Sequence, residues 1–123
     1  NDSLKGGGGN DTLIGGLGRD QLEGDAGQDS FVFAFTSDSP VGSGSDTILD
    51  FTPGQDRLVF AAMIEGAFDL SLGGGYTGTG PSIRTVETAT DTFVLIDADG
   101  DSITDARVIL DGTIGLSGPD FAL

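Results

Sequence analysis

Apolar residues recur at every ninth position near the start of the chain. Leu4, Leu13, Leu22 and Phe31 keep this period, and each is the middle residue of a three-residue segment that follows an aspartate. A three-residue strand is too short to be stable alone, but identical strands stacked on it bury its central side chain. The pattern therefore predicts short strands stacked as a solenoid, with this apolar column facing inward.

The segments between these strands are glycine-rich turns that end in aspartate. Asp2, Asp11, Asp20 and Asp29 have the same nine-residue period as the apolar column. Each turn glycine costs about 0.5–1 kcal/mol relative to alanine, and carboxylates stacked about 4.8 Å apart repel one another. A divalent cation between the turns offsets both costs, because carboxylate and carbonyl oxygens are the ligands that calcium prefers. We therefore expect residues 1–32 to bind calcium rather than to form a flexible Gly-Asp linker.

The pattern changes after residue 38. Residues 37–46 have the serine, glycine and proline content of a surface loop. Residues 46–60 predict a strand, a Pro-Gly turn and a second strand, and residues 92–97 and 106–111 predict a hairpin. This part of the chain is therefore expected to be β-rich.

The segment between these strands has weaker patterns. Residues 67–73 alternate apolar and polar side chains, residues 71–82 predict a loop, and residues 60–67 predict one short helical turn. We find no longer helical period. The tail is therefore predicted to be all-β and to cap the open end of the solenoid, where it covers the last strand edge.

Charge and composition exclude several classes of function. The formal net charge of −15 disfavours nucleic acid and anionic membranes as partners, and no apolar run is long enough to span a membrane. The chain has no histidine or cysteine, which excludes imidazole zinc sites and Ser-His-Asp or Cys-His catalysis. Carboxylate pairs also occur in glycosidases, but the nine-residue register explains them better as calcium ligands. We therefore expect no catalysis from this chain.

The repeat resembles the calcium-binding nonapeptide G-G-x-G-x-D-x-U-x of repeats-in-toxin (RTX) proteins, in which U is apolar. Residues 6–14 and 15–23 match it fully, and residues 24–32 have Asp25 in place of the second glycine. The resemblance implies a parallel β-roll with two nonapeptides in each winding. Since the first unit begins at the fifth position of the motif, we expect the chain to be part of a longer protein.

The resemblance also implies which residues hold the ions. In each pair of stacked turns, the lower turn supplies the carbonyls of its second and fourth residues, the upper turn supplies those of its first and third residues, and both supply an aspartate. This implies one ion at Gly7, Gly9, Asp11, Gly24, Ala26 and Asp29, a second at Asp2, Gly15, Leu17 and Asp20, and a third at Gly16, Gly18, Asp20 and Asp38.

The segment after the repeat has a second resemblance. Its spacing D-x-I-x-D-F-x-x-G-x-D, at residues 46–56, resembles the segment that follows the repeats in serralysin-type secreted metallopeptidases. This resemblance implies that Asp50 and Asp56 help to hold a further calcium ion. Acidic turn residues that flank ordinary strands are the alternative.

Four aspartates between the predicted hairpin strands have the spacing of a calcium loop. Asp97, Asp99, Asp101 and Asp105 lie at positions 1, 3, 5 and 9 of such a loop. The loop is not an EF-hand, because valine replaces glutamate at position 12 and serine replaces glycine at position 6. A β-hairpin calcium site and a solvated hairpin tip both remain open.

The last four residues, Asp120, Phe121, Ala122 and Leu123, resemble the terminal signature of substrates of type I (ABC-transporter) secretion. The resemblance implies that their removal reduces export, and we expect that removal to leave folding largely intact. A final β-strand that completes the cap is the other interpretation, and both can hold.

The predicted molecule is all-β, with a short parallel β-roll at residues 1–38 and a jelly-roll-like or sandwich cap at residues 39–123. Resemblance to RTX proteins implies a non-catalytic, monomeric, secreted module of a larger bacterial protein, such as a zinc metallopeptidase. Its implied partners are calcium, the type I secretion apparatus and the upstream domain of the same chain, and its implied role is export and calcium-triggered folding.

Two alternatives to this function remain. RTX modules of this type also accompany alginate epimerases and adhesins, which implies a polysaccharide- or surface-binding accessory module. An acidic polymer would need a basic face built from Arg19, Arg57, Arg84 and Arg107. A structural spacer in an adhesin is the third hypothesis, and it predicts more repeats.

Overall fold

The chain folds into short β-strands that form two sheets. A computed structural model describes residues 2–60, 69–76, 78 and 80–122. The strands within these residues are β1 Ser3–Lys5, β2 Thr12–Ile14, β3 Gln21–Glu23, β4 Ser30–Val32, β5 Asp46–Ile48, β6 Arg57–Val59, β7 Asp69–Leu72, β8 Ser82–Glu87, β9 Asp91–Asp97, β10 Ala106–Asp111 and β11 Phe121–Ala122. Short 3₁₀ turns lie at Thr36–Asp38 and Gly118–Asp120.

The repeat forms the predicted parallel roll. Successive strands alternate between the two sheets, so that β1 pairs with β3 and β2 with β4, both in parallel. Leu4 lies opposite Leu22 and Leu13 lies opposite Phe31, which places two nonapeptides in one winding. Leu13, Leu22 and Phe31 are buried, and Leu4 packs against them. The inward-facing apolar column is therefore confirmed.

The roll continues beyond the repeat. β5 pairs in parallel with β3, and β6 pairs in parallel with β4. Ile48 and Leu58 thereby extend the apolar column, and both are fully buried. Strands on both sides of residues 38 and 39 thus pair in parallel in the same roll. The sequence predicts the boundary between roll and cap at these residues, and that boundary stays a prediction.

The cap is built onto the open edges of the roll. β10 pairs in parallel with β5, and β8 and β9 add antiparallel strands, which gives a seven-stranded sheet in the order β1-β3-β5-β10-β9-β8-β7. β11 pairs in parallel with β6 and completes a four-stranded sheet in the order β2-β4-β6-β11. The predicted all-β cap that covers the last roll edges is confirmed.

One apolar cluster joins the roll to the cap. Phe31 contacts Phe51 with ring centroids 6.1 Å apart, and Phe33 stacks on Phe60 at 5.6 Å. Phe121 of the last strand lies 6.5 Å from Phe60. Buried side chains of β8, β9 and β10 belong to the same cluster. Folding of the roll and folding of the cap are therefore coupled through shared apolar burial.

The observed strands of the cap differ from the predicted ones in two places. The hairpin is confirmed, with β9 beginning one residue earlier than predicted, at Asp91. The loop predicted at 71–82 is wrong at both ends, because β7 extends to Leu72 and β8 begins at Ser82. Strand β8 forms because pairing with β9 buries Ile83 and Thr85. The helical turn predicted at 60–67 lies almost wholly outside the described residues.

The described helical segments are the two short 3₁₀ turns. Within the described part of the chain, no helix is long and apolar enough to cross a membrane.

Candidate metal centre

The turn aspartates stack in two columns, one beside each sheet. In each column, a carboxylate Oδ1 accepts a hydrogen bond from the backbone N–H of the aspartate one winding earlier. These bonds are Asp2 N to Asp20 at 2.7 Å, Asp11 N to Asp29 at 2.9 Å, Asp20 N to Asp46 at 2.8 Å and Asp29 N to Asp56 at 3.0 Å. The bonds hold successive carboxylates in register along the roll.

The second carboxylate oxygens of these columns are chemically unusual. Asp11 Oδ2, Asp29 Oδ2 and Asp46 Oδ2 are buried and have no hydrogen-bond partner in the part of the chain that the structure describes. A carboxylate oxygen that is buried without a partner is strongly unfavourable. Hard cations satisfy such oxygens, so the donor set fits calcium.

The backbone of stacked turns brings the first predicted site together. Ala26 N donates to the Gly7 carbonyl at 3.2 Å, and Gly9 N donates to the Ala26 carbonyl at 3.0 Å. The turns at 6–11 and 24–29 therefore lie directly against each other. Since a carbonyl oxygen has two lone pairs, those of Gly7 and Ala26 keep one for an ion.

The turn at 15–20 lies beside two aspartates of the other column. A Cβ on Gly15 would lie 2.8 Å from Asp20 Oδ2 and 3.2 Å from Asp46 Oδ2, so only glycine leaves this space open. Gly16 and Gly18 both have positive φ, at 74° and 104°. Leu17 is 73% exposed. The structure therefore groups Gly15 with Asp20 and Asp46.

Asp46, and not Asp38, takes the position in register with Asp20. Pairing of Gln21 with Thr47 places Asp46 above Asp20, although the two are 26 residues apart in sequence. The Asp38 Oδ2 instead accepts hydrogen bonds from Ala34 N and Phe35 N at 3.1 Å each, which closes a 3₁₀ turn. The expected register of Asp38 is corrected, because the loop after β4 adds residues that an eighteen-residue count does not include.

A sequence signal for Asp46 exists in its neighbours. The triplet Asp46-Thr47-Ile48 repeats the aspartate, polar and apolar order of Asp11-Thr12-Leu13. Asp56-Arg57-Leu58 has the same order. Both triplets lead into roll strands, as the triplets of the repeat do.

Burial changes the acidity of the two later column aspartates. Burial raises the pKa of Asp46 to about 7 from its ordinary value of 3.8; the hydrogen bond from Asp20 N opposes the rise, and the charges of Asp20 and Asp38 add to it. Burial likewise raises the pKa of Asp56, against hydrogen bonds from the backbone of Asp29 and Thr52. A cation beside these carboxyl groups would favour their charged form.

The structure places Asp50 and Asp56 in different groups. Asp56 continues a column, and its Oδ2 accepts from Thr52 N at 2.8 Å. Asp50 lies with Glu23 and Asp25, and their ligand oxygens are all within 4.8 Å of one another. Asp50 also accepts hydrogen bonds from Gly24 N at 2.9 Å and Asp25 N at 2.6 Å. Sequence reasoning missed Glu23 and Asp25, because only the pairing of β3 with β5 brings them to Asp50.

Lys5 lies beside this acidic group. Its Nζ is 3.3 Å from Glu23 Oε1 and 3.5 Å from Asp25 Oδ2. The ion pairs are exposed and contribute little to stability. Part of the negative charge of the Glu23–Asp25–Asp50 group is thus already balanced by the protein.

The structure brings the four hairpin aspartates together. Ligand oxygens of Asp97, Asp99, Asp101 and Asp105 are all within 4.8 Å of one another. Asp97 is fully buried, and its two oxygens accept hydrogen bonds from Gly100 N and Ser102 N at 2.8 Å each. These bonds hold the carboxylates in a tight loop at the hairpin tip. Whether this loop binds calcium stays a prediction.

The C-terminal motif is part of the folded core. Asp120 is 1% exposed, and it accepts hydrogen bonds from Gly54 N and Ser117 N at 2.8 Å each. Phe121 is 5% exposed and pairs with Leu58. The interpretation of residues 121 and 122 as a final strand is confirmed, whereas Leu123 lies outside the described residues.

Comparison with known proteins shows the family of this chain. The family model described as "Peptidase M10 serralysin C terminal" matches residues 2–121. The chain belongs to this family. The RTX-type roll and the serralysin resemblance inferred from the sequence are therefore confirmed. This chain is a β-roll accessory module of the calcium-binding type.

Two solved structures resemble this serralysin C-terminal module. The AlgE6R3 subunit of the Azotobacter vinelandii mannuronan C5-epimerase is 36% identical with a TM-score of 0.69, over 98% of this chain and 66% of that one. The AlgE6R2 subunit of the same epimerase is 34% identical with a TM-score of 0.57, over 82% of this chain and 62% of that one. The module thus spans less than two thirds of either subunit. No curated protein matches it.

Proposed function

We propose that this module binds calcium between its stacked turns and that calcium binding drives its folding. The buried Oδ2 atoms of Asp11, Asp29 and Asp46, which have no hydrogen-bond partner among the described residues, carry this proposal. Without a cation, the folded roll contains repelling carboxylates whose burial is not offset. Bound calcium supplies the positive charge that makes this arrangement favourable.

The ligands proposed for each ion follow from the stacked turns. Gly7, Gly9, Asp11, Gly24, Ala26 and Asp29 hold one ion; Asp2, Gly15, Leu17 and Asp20 belong to a second; Gly16, Gly18, Asp20 and Asp46 belong to a third. Asp50 and Asp56 and the hairpin group Asp97, Asp99, Asp101 and Asp105 are further proposed ligands. The support is the register of the aspartate columns and the closeness of the hairpin carboxylates.

Calcium binding to the folded state alone stabilises that state by mass action. Extracellular calcium modules bind with dissociation constants of about 10⁻⁴–10⁻³ M. A module in this range stays unfolded at the low calcium level of a cytosol and folds outside the cell. The function is therefore proposed to be that of a secreted module that folds after export.

A circular dichroism titration tests calcium-driven folding. The chain is titrated with calcium from a chelator-treated start, with magnesium as the control. We expect a cooperative gain of β-structure that calcium produces and magnesium does not. An equally folded chain in chelator and in calcium would remove the proposed switch.

Export by a type I apparatus is the second part of the proposal, and it rests on the motif Asp120, Phe121, Ala122 and Leu123. Because Asp120 and Phe121 are buried, removal of these residues is expected to destabilise the fold as well as to affect export. The test expresses a passenger protein fused to this module in a host with a type I exporter. Loss of the last four residues should reduce export while synthesis continues; unchanged export would refute the signal.

A second candidate function is an accessory module that binds a polysaccharide. Its support is the likeness to two subunits of an epimerase that is named for mannuronan. The arginines do not favour an acidic polymer, because Arg19, Arg57 and Arg84 line three separate cavities and Arg107 lies over Phe93.

A further inference from the structure

A polar cavity lies where strands β4 and β6 of the four-stranded sheet begin, beside the column aspartates Asp29 and Asp56. Its volume is about 250 Å³. Its lining residues include Asn10, Gln28, Gln55, Ser30, Arg57 and Pro119. Neither calcium binding nor the C-terminal motif explains this set of side chains.

The three amides form a ladder that the roll itself creates. Asn10, Gln28 and Gln55 each precede a column aspartate, and the pairing of Thr12 with Ser30 and of Ser30 with Arg57 aligns them on successive strands. Neighbouring strands lie about 4.8 Å apart. Gln28 N donates to Asn10 Oδ1 at 2.8 Å, which fixes the orientation of the Asn10 amide. The ladder therefore presents amide groups at regular spacing along one direction.

The chemistry of the lining selects the ligand class. A side-chain amide offers a carbonyl acceptor and two N–H donors side by side, and a hydroxyl group both donates and accepts. Ligands with many hydroxyl groups therefore match a row of amides with Ser30 and Arg57 beside it. Pro119 supplies an apolar wall at the end of the row, which suits the C–H face of a sugar ring.

Charge argues against an acidic ligand here. Asp29 and Asp56 also line the cavity, and Arg57 is the only base among the described residues of its lining. The whole chain has a net charge of −15, so a polyanion would be repelled over the full surface. A neutral ligand meets no such repulsion.

We propose that this cavity binds a neutral carbohydrate chain through the amides of Asn10, Gln28 and Gln55 and the guanidinium of Arg57. The amides lie on adjacent strands about 4.8 Å apart, so each can contact a different part of one sugar chain. The site exists only when strands β2, β4 and β6 are stacked. It therefore depends on folding of the roll but not on export.

The test is an NMR titration of the calcium-loaded chain with three hexasaccharides. Cellohexaose and maltohexaose are the neutral probes, and hexagalacturonate is the acidic one. We expect at least one neutral probe to shift the side-chain amide signals of Asn10, Gln28 and Gln55 saturably. No saturable shift with either neutral probe, or a shift with hexagalacturonate alone, would overturn the proposal.

Matched variants locate the site. The double variant Gln28→Ala/Gln55→Ala should weaken binding at least tenfold, whereas Gln21→Ala, on an exposed position of the other sheet, should leave it unchanged. Circular dichroism in calcium tests carbohydrate binding separately from calcium-driven folding, because all variants should keep the wild-type spectrum. Equal weakening by Gln21→Ala, or unchanged binding by the double variant, would refute this location.

Discussion

Individual aspartates in this chain differ in role because the atoms around their carboxylates differ. Asp29 and Asp46 each use one oxygen for a backbone hydrogen bond and bury the other without a partner. Asp38 uses its carboxylate to close a 3₁₀ turn, and Asp97 uses both oxygens within its own hairpin. An unpartnered oxygen distinguishes Asp29 and Asp46 within the columns, whereas the hairpin group is proposed from the closeness of its carboxylates.

Asp46→Asn is expected to weaken calcium binding by roughly tenfold or more. The substitution keeps an acceptor for Asp20 N but removes a charge, and one unit charge about 4 Å from another is worth about 1–4 kcal/mol near a protein surface. In chelator, the variant should be more stable than the parent, since a buried charge is lost. Isothermal titration with calcium measures the first effect and urea unfolding the second.

Asp38→Asn is the matched control for this substitution. It is expected to change calcium affinity much less, because its carboxylate caps the turn through Ala34 N and Phe35 N. Equal losses of affinity in the two variants would contradict the assigned register.

The calcium-free fold is expected to become more stable as pH falls from about 8 towards 5. The pKa of Asp46 is raised to about 7 in the folded state, so the folded state binds a proton that the unfolded state still lacks between about pH 7 and 4. The raised pKa of Asp56 acts in the same direction. Urea unfolding in chelator across this range measures the trend; greater stability at pH 8 than at pH 5 would contradict it.

At the scale of elements, the roll strands depend on the turns that join them. Strands of three residues have too few hydrogen bonds to be stable alone. The turns can stack closely because Gly27 has a φ of 129° and lies against Gly9 without a side chain between them. The glycines are thus a requirement of stacking as well as of turn formation.

Gly27→Ala is expected to disrupt the stacking of the turns at 6–11 and 24–29. A Cβ at this position would overlap the Gly9 carbonyl, and the positive φ adds roughly 1–2 kcal/mol of strain. The calcium midpoint in circular dichroism should rise strongly, or the transition should be lost.

Gly8→Ala is the control in the neighbouring turn. A Cβ on Gly8 meets no atom within 4 Å, and Gly8 has no positive φ. Its calcium midpoint should remain near that of the parent. A similar loss in both variants would point to chain flexibility instead of close stacking.

At the scale of the whole molecule, the cap completes the sheets of the roll. β10 continues the sheet of β5, and β11 continues the sheet of β6. The apolar cluster also runs from the roll into β8, β9 and β10. The cap therefore stabilises the same β-structure that the proposed calcium ions stabilise.

A fragment of residues 1–60 is expected to stay largely unfolded even in millimolar calcium. It keeps the repeat but loses β10, β11 and the Phe121 contact with Phe60. Circular dichroism of the fragment and of the full chain, under the same calcium titration, measures the difference. A calcium transition in the fragment that equals that of the full chain would show that the roll does not need the cap.

The sequence by itself determined the roll. A strict nine-residue period sets the length of every turn and strand, so the inward column of Leu13, Leu22 and Phe31 follows without tertiary information. The close approach of Asp97 to Asp105 follows from equally local spacing, and the parallel pairing of units two apart is what the resemblance to RTX proteins implies. Local spacing predicts well because the interacting residues are separated by short segments of fixed length.

Only the tertiary structure decided the contacts that cross segments of irregular length. Because of the loop after β4, Asp46 rather than Asp38 lies in register with Asp20. Sheet pairing places Asp50 close to Glu23 and Asp25. Strand β8 and the burial of Asp120 likewise depend on partners far along the chain. A periodic count fails once a loop breaks the period, because the register of the next strand is then set by backbone pairing and apolar burial across the sheets.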